Sequence, residues 1–224
     1  MKSRRQFLTG IAITGATLGT VRIVHAQEPS ERLDLDNVGK FVGKSHGDLE
    51  TVENMLKKQP ALVNAAWDWG GGDWETGLGA ASHVGRPDIA ELLLASGARL
   101  DAFAATMLGL KPIVQEMLKS FPALHKVPGP HGIPLLSHAV FGRRKADDVF
   151  HLLVDAGADV NAHSNNGMTP LMAASSVGRP AIVEVLLEQG ADPTVRDKKD
   201  RTALEIAIQR EHKSVVKILK RATG

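Results

Sequence analysis

The sequence contains no cysteine and no tyrosine. Without a thiol there is no disulfide, no thiolate nucleophile and no thiolate metal ligand, which removes many enzyme classes at once. Aromatic residues make up 4% of the chain, three tryptophans among them, so the core must be packed with Ala and Leu rather than large rings. A strong excess of one charge is also missing: 27 Lys and Arg stand against 25 Asp and Glu. Four of the basic residues, Lys2, Arg4, Arg5 and Arg22, lie in the first 26 positions, and without that segment 23 basic residues face 25 acidic ones, a net charge of −2. So balanced a chain lacks the electrostatic footprint of a nucleic-acid binder. The hydrophobic share of 43% excludes disorder and suits a soluble chain with an extended core.

What is present is repetition. The stretch from Asn166 to Asp197 reads N-G-M-T-P-L-M-A-A-S-S-V-G-R-P-A-I-V-E-V-L-L-E-Q-G-A-D-P-T-V-R-D, and the other segments are looser copies of it. Thr169 followed by Pro170 starts a helix, because the hydroxyl accepts from a free backbone N–H and proline at the first helical position gives up no needed donor. Gly178 ends that helix. Ala173, Ala174 and Ser175 are small enough to let a second helix approach closely. That second helix, over about Pro180 to Gln189, carries Ile182, Val183, Leu186 and Leu187 at helical spacing, and Gly190 supplies its left-handed exit. Thr169 to Thr202, Gly157 to Gly190 and Gly109 to Gly142 are each separated by 33 residues.

This unit resembles the ankyrin repeat, G-x-T-P-L-H-x-A-A-x-x-G followed by an apolar helix closed by L-L-x-x-G-A-D-V-N-A, and 33 residues is the ankyrin period. The histidine after T-P-L is replaced by Met172, and by Leu136 and Glu205 in neighbouring copies. The resemblance implies an all-α ankyrin-repeat solenoid of about six helix-turn-helix repeats with short finger loops, spanning 36–222.

Ahead of the repeats, residues 1–26 have a basic start, an apolar middle and a small-residue end, Val24-His25-Ala26. Ser3-Arg4-Arg5-Gln6-Phe7-Leu8 resembles the twin-arginine (Tat) export signal, S-R-R-x-F-L. The resemblance implies a signal peptide cleaved after Ala26, export of the folded chain, and a periplasmic address. About 15 apolar residues are too few to span a bilayer comfortably, so no stable membrane anchor is expected. Residues 27–35 form a polar linker.

Departures from the period locate irregularities. Gly47 to Gly85 is 38 residues, and the surplus makes an enlarged finger, Trp67 to Glu75, which holds all three tryptophans. Gly85 to Gly109 is only 24, so repeat three must start its first helix near Asp101, with its finger missing. Two prolines stiffen the next finger, Pro128 to Gly132. Gly142 to Gly178 is 36, with the extra residues at Arg143 to Ala146, between helices. The last repeat, with Lys213, Lys217, Lys220 and Arg221 on its open side, reads as a polar cap.

Chemistry is sparse. No pair of the nine histidines forms H-E-x-x-H or another helix-spaced ligand motif, and no metal or other cofactor is expected. Gly77 to Ser82 half resembles a dinucleotide fingerprint, but no strand precedes it. Asp73 and Glu75 near His83 offer an acid–base set with neither nucleophile nor anion hole, so the chain is not expected to be an enzyme and catalysis there is the minor alternative.

In ankyrin proteins the two residues before the glycine that ends each first helix face the concave groove. Those pairs are Ser45 and His46, His83 and Val84, Met107 and Leu108, Val140 and Phe141, Ser176 and Val177, Gln209 and Arg210. The middle of that path is apolar. With Trp67, Trp69 and Trp74 beside it, it forms a candidate protein-binding surface: Trp67, Trp69, Trp74, His83, Val84, Met107, Leu108, Val140 and Phe141. Two alternatives stay open: the tryptophans fold inward as core, or a notch near Met107 takes a small apolar ligand. The expected partner is a periplasmic protein or peptide, and the expected state is a monomer.

Overall fold

The computed structural model describes residues 32–224. The expected export signal over 1–26, its cleavage point and most of the linker lie outside the described residues. No described helix is long and apolar enough to cross a membrane.

Twelve α-helices among the described residues form six antiparallel pairs: α1 (Leu35–Lys44) with α2 (Leu49–Lys58), α3 (Gly77–His83) with α4 (Pro87–Ala95), α5 (Ala102–Met107) with α6 (Lys111–Ser120), α7 (Leu135–Phe141) with α8 (Asp147–Asp155), α9 (Pro170–Ser176) with α10 (Pro180–Glu188), and α11 (Ala203–Gln209) with α12 (Lys213–Thr223). The first members stack in order, α1 on α3, α3 on α5, α5 on α7, α7 on α9 and α9 on α11. Each pair cannot bury its apolar face alone, and stacking makes the core continuous. Small buried residues on the inner row, Ala81, Ala105, Ala139, Ala174 and Ala207, permit that approach, and Ile89, Leu93, Phe150, Val183 and Leu219 seal it from the outer row.

The helix starts are capped by side chains, at Thr169 as the sequence predicts. The Thr169 hydroxyl accepts from the Met172 N–H at 3.3 Å, Thr76 from Gly79 at 3.0 Å, and Thr202 and Glu205 make a reciprocal capping box. In repeat three the Asp101 carboxylate does the same work for Ala104 at 2.7 Å, so the first helix of the shortened repeat begins where the sequence predicts. The extra residues at Arg143–Ala146 form a short 3-10 turn between α7 and α8. Here glycine is required: a Cβ on Gly109, whose φ is +70°, would overlap the Lys145 carbonyl, and one on Gly142 would overlap that of Met107.

Neighbouring repeats are tied at both ends. Arg179 at the start of α10 reaches back to the Val140 carbonyl at 3.1 Å and pairs with Asp147, placing a cation at the C-terminus of α7. At the far end Asn64 donates to the Gly97 carbonyl at 3.1 Å and accepts from the Arg99 N–H at 2.8 Å, and Asn161 repeats the pattern on Gly190 and Asp192. On the final pair Lys213, Lys217, Lys220 and Arg221 are exposed, as a cap requires.

The finger loops depart from the expected all-α description in one place. The enlarged finger is a two-stranded antiparallel hairpin, β1 (Ala66–Asp68) with β2 (Trp74–Thr76), Trp67 opposite Glu75. Its surplus residues are long enough to pair, and Gly70, Gly71 and Gly72, all at positive φ, close the turn.

Candidate functional site

Side chains alternate across a strand, and on β2 this sends Trp74 outward, 62% exposed, and Glu75 inward, 1% exposed. Trp67 on β1 lies flat on the backbone of α1: a Cβ at Gly39 would sit 3.1 Å from its indole ring. Trp69, after the strand, is 44% exposed and turns its indole N–H onto Glu75 Oε2 at 2.8 Å. The three tryptophans therefore have three roles: Trp67 braces the hairpin, Trp69 roofs Glu75, and Trp74 faces solvent.

Because repeat three has no finger, the hairpin meets the proline finger of repeat four directly. Asp73 accepts from the backbone N–H of His131 through Oδ1 and pairs with its ring Nδ1 through Oδ2, both at 2.7 Å. His131 is held at φ 58° to make the reach. Beneath this clasp, four side chains from successive parts of the chain converge. Glu75 Oε2 is 3.4 Å from His46 Nε2 and 3.5 Å from His131 Nε2, and its Oε1 is 2.9 Å from His83 Nδ1. One donor atom from each of His46, Glu75, His83 and His131 lies within 4.8 Å of every other.

The protonation of two rings is set by their far sides. His46 Nδ1 faces the carbonyls of Val42 and Gly43 at 3.2 and 3.1 Å, which can only accept, so Nδ1 carries the proton. His131 Nδ1 faces the Asp73 carboxylate. Burial raises the Asp73 carboxyl, but the hydrogen bonds from the His131 backbone and ring outweigh it and hold the group below the usual aspartate value. Burial likewise raises Glu75, and the His83 ring, helped by the Trp69 indole, more than offsets it, leaving Glu75 below the ordinary glutamate value. Both are carboxylates at neutral pH. Although Glu75 Oε1 and His83 Nδ1 stand 2.9 Å apart, neither has a partner in hydrogen-bonding geometry among the described residues.

Beside the cluster opens a pocket of about 210 Å³ lined by His83, His131, Ile133, Ser137, Phe141, Ser164, Asn166 and Met168. It is mostly apolar, with two serines and an asparagine at its wall.

The groove path is thus interrupted. Val84 is exposed and Leu108 and Phe141 are half-buried, but Met107 and Val140 are 1% and 0% exposed, in the core and out of reach of a partner. The last groove-facing residue of each first helix stays at the surface, while the one before it in α5 and α7 packs on the adjacent helix. No notch exposes Met107; instead Gly129 of the proline finger lies against Phe103 and His138, where a Cβ would meet both rings at 3.1 Å. The sequence singled out His83 and Glu75 but did not join them to His46 and His131. Two adjacent repeats with histidine among their groove-facing pairs was the available signal.

A family model described as ankyrin repeats (3 copies) matches residues 135–223. Among curated proteins the chain is 36% identical over 112 residues, 49% of its length, to Ankyrin repeat and SAM domain-containing protein 6 of Rattus norvegicus, covering 12% of that relative. It is 35% identical over 89 residues, 39% of its length, to a Putative ankyrin repeat-containing protein of Treponema pallidum (strain Nichols), covering 29% of it. Ankyrin repeat protein nuc-2 of Neurospora crassa is 27% identical over 192 residues, 78% of this chain and 17% of the relative. The chain thus spans less than a third of each of these relatives. With six stacked helix pairs and ankyrin repeats matched over 135–223, the fold of this chain is the all-α ankyrin-repeat solenoid.

Proposed function

We propose that this chain is an exported, periplasmic protein that binds another polypeptide across its concave face, gripping it with the tryptophan hairpin. Ankyrin repeats generally mediate protein–protein interaction through such extended concave surfaces. The observation that carries the reading is the exposure of Trp74, at 62%, on a finger already braced by Trp67 and clasped by His131. A braced backbone loses little further entropy on binding, and tryptophan is enriched among residues that dominate interfaces. Val84, exposed, and Leu108 and Phe141, half-buried, are the apolar groove positions that stay at the surface. The neighbouring pocket, about 210 Å³, is smaller than the 300–1,000 Å³ of usual ligand sites. It suits a side chain anchored from a bound peptide better than a free small molecule, and the chain acts by binding rather than by catalysis.

The test is selection of binders from a displayed random-peptide library on the immobilised full chain, followed by hydrogen exchange of the complex. Protection concentrated on 67–76 and 131–141 supports the reading. Protection confined to the convex outer helices overturns it.

A further inference from the structure

We propose that His46, Glu75, His83 and His131 form a binding site for a divalent transition-metal ion of the zinc type. The proposal does not depend on the peptide-binding reading. It begins from a mismatch of donors and acceptors. His46 and His131 commit their Nδ1 protons to the carbonyls of Val42 and Gly43 and to Asp73, so each presents Nε2 to the Glu75 carboxylate. In the neutral ring the Nε2 lone pair faces a carboxylate oxygen, acceptor against acceptor, and an ion between them relieves that clash around the buried Glu75. The separations of 3.4 and 3.5 Å are too long for good N–H···O bonds. They match the distance of about 3.3 Å between ligands of a tetrahedral ion bound at about 2.0–2.1 Å. A second observation agrees: among the described residues Glu75 Oε1 and His83 Nδ1, both buried, have no hydrogen-bonding partner although they converge.

The surroundings are those a metal-bound imidazole needs. The ring N–H away from the site is held by a carboxylate in His131 and by backbone carbonyls in His46, which orients the ring and raises its basicity. The Trp69 indole fixes the Glu75 carboxylate from the side. Three imidazole nitrogens and one carboxylate oxygen select zinc, cobalt, nickel or copper over calcium and magnesium, which take oxygen shells. The ion would join α1, α3, the hairpin and the proline finger at the place where a finger is missing.

The experiment uses the tag-free full chain, stripped with chelator and titrated with cobalt(II) chloride alone, then with zinc chloride as competitor. One equivalent of cobalt should produce the intense visible bands of a tetrahedral site and change tryptophan fluorescence, and one equivalent of zinc should abolish the bands. His83→Ala and Glu75→Gln should weaken binding at least about a hundredfold. Asp73→Asn, which loses only the support of His131, should weaken it roughly 10–100-fold with unchanged stoichiometry. His151→Gln, on the exposed face of α8, should change nothing. Helical circular dichroism of each variant shows whether it is folded. Absence of the bands in the folded wild-type chain overturns the proposal, as does wild-type cobalt affinity in folded Glu75→Gln.

Discussion

His138 should make the stack acid-sensitive in its middle. The residue is fully buried on α7, at the position that Ala81, Ala105, Ala174 and Ala207 fill in other repeats. Its ring packs 5.0 Å from that of Phe103, centroid to centroid, and neither nitrogen has a hydrogen-bond partner among the described residues. Burial, reinforced by the charge of His83, pushes its pKa down to about 3. A histidine depressed in the folded state is neutral in both states above about pH 6.5, so its contribution is constant there. As the pH falls below that value the unfolded chain takes up a proton that the folded chain refuses, and stability drops by about 1.4 kcal/mol per pH unit until the folded pKa is reached. Between pH 7 and pH 5 the loss is about 2 kcal/mol. That figure holds for any folded pKa below about 4.5, because the proton uptake is then confined to the unfolded chain over the whole interval. The assay is urea unfolding followed by circular dichroism at pH 7 and pH 5. His138→Leu should remove about 2 kcal/mol of the acid loss, and at pH 7 it should cost little, because two unpaired buried nitrogens disappear with the ring. An acid loss equal in wild type and variant would refute the reasoning.

Two further outcomes follow from the layout of the chain. Replacing Arg4 and Arg5 together by lysine should leave the uncleaved precursor in the cytoplasm, read by fractionation and immunoblot, and normal export of that variant would defeat the periplasmic assignment. Deleting residues 199–224 removes α11 and α12 from α9 and α10; the truncated stack should melt several degrees lower or aggregate, and an unchanged melting curve would show that the last pair is not a cap.

The stacking was legible because the ankyrin unit encodes its own boundaries: Thr169 caps the helix it was expected to start, Thr202 one period on caps the next, the third repeat's helix begins after Asp101 as expected, and Gly109 and Gly178 turn the chain. The spacing also located the enlarged finger and the absent one. It did not show that the enlarged finger would pair as strands, because hairpin pairing depends on three glycines at positive φ rather than on the apolar period. Nor did it show the His46–Glu75–His83–His131 cluster. A search for ligands spaced along one helix cannot find donors that the repeat places side by side, and His131 joins only because the missing finger lets Asp73 reach it. The groove was overread at Met107 and Val140, since a period names the position but not whether the neighbouring helix covers it.

The measurement that tests the binding account most directly is the affinity of the selected peptide for wild type, Trp74→Ala and Ile208→Ala. Trp74 is 62% exposed, so cutting it to alanine should leave the melting temperature nearly unchanged. Central interface tryptophans commonly cost about 2 kcal/mol or more, and the dissociation constant should rise at least about tenfold. Ile208, exposed on the terminal pair away from the hairpin, should change it less than about twofold. Wild-type affinity in Trp74→Ala would contradict the account.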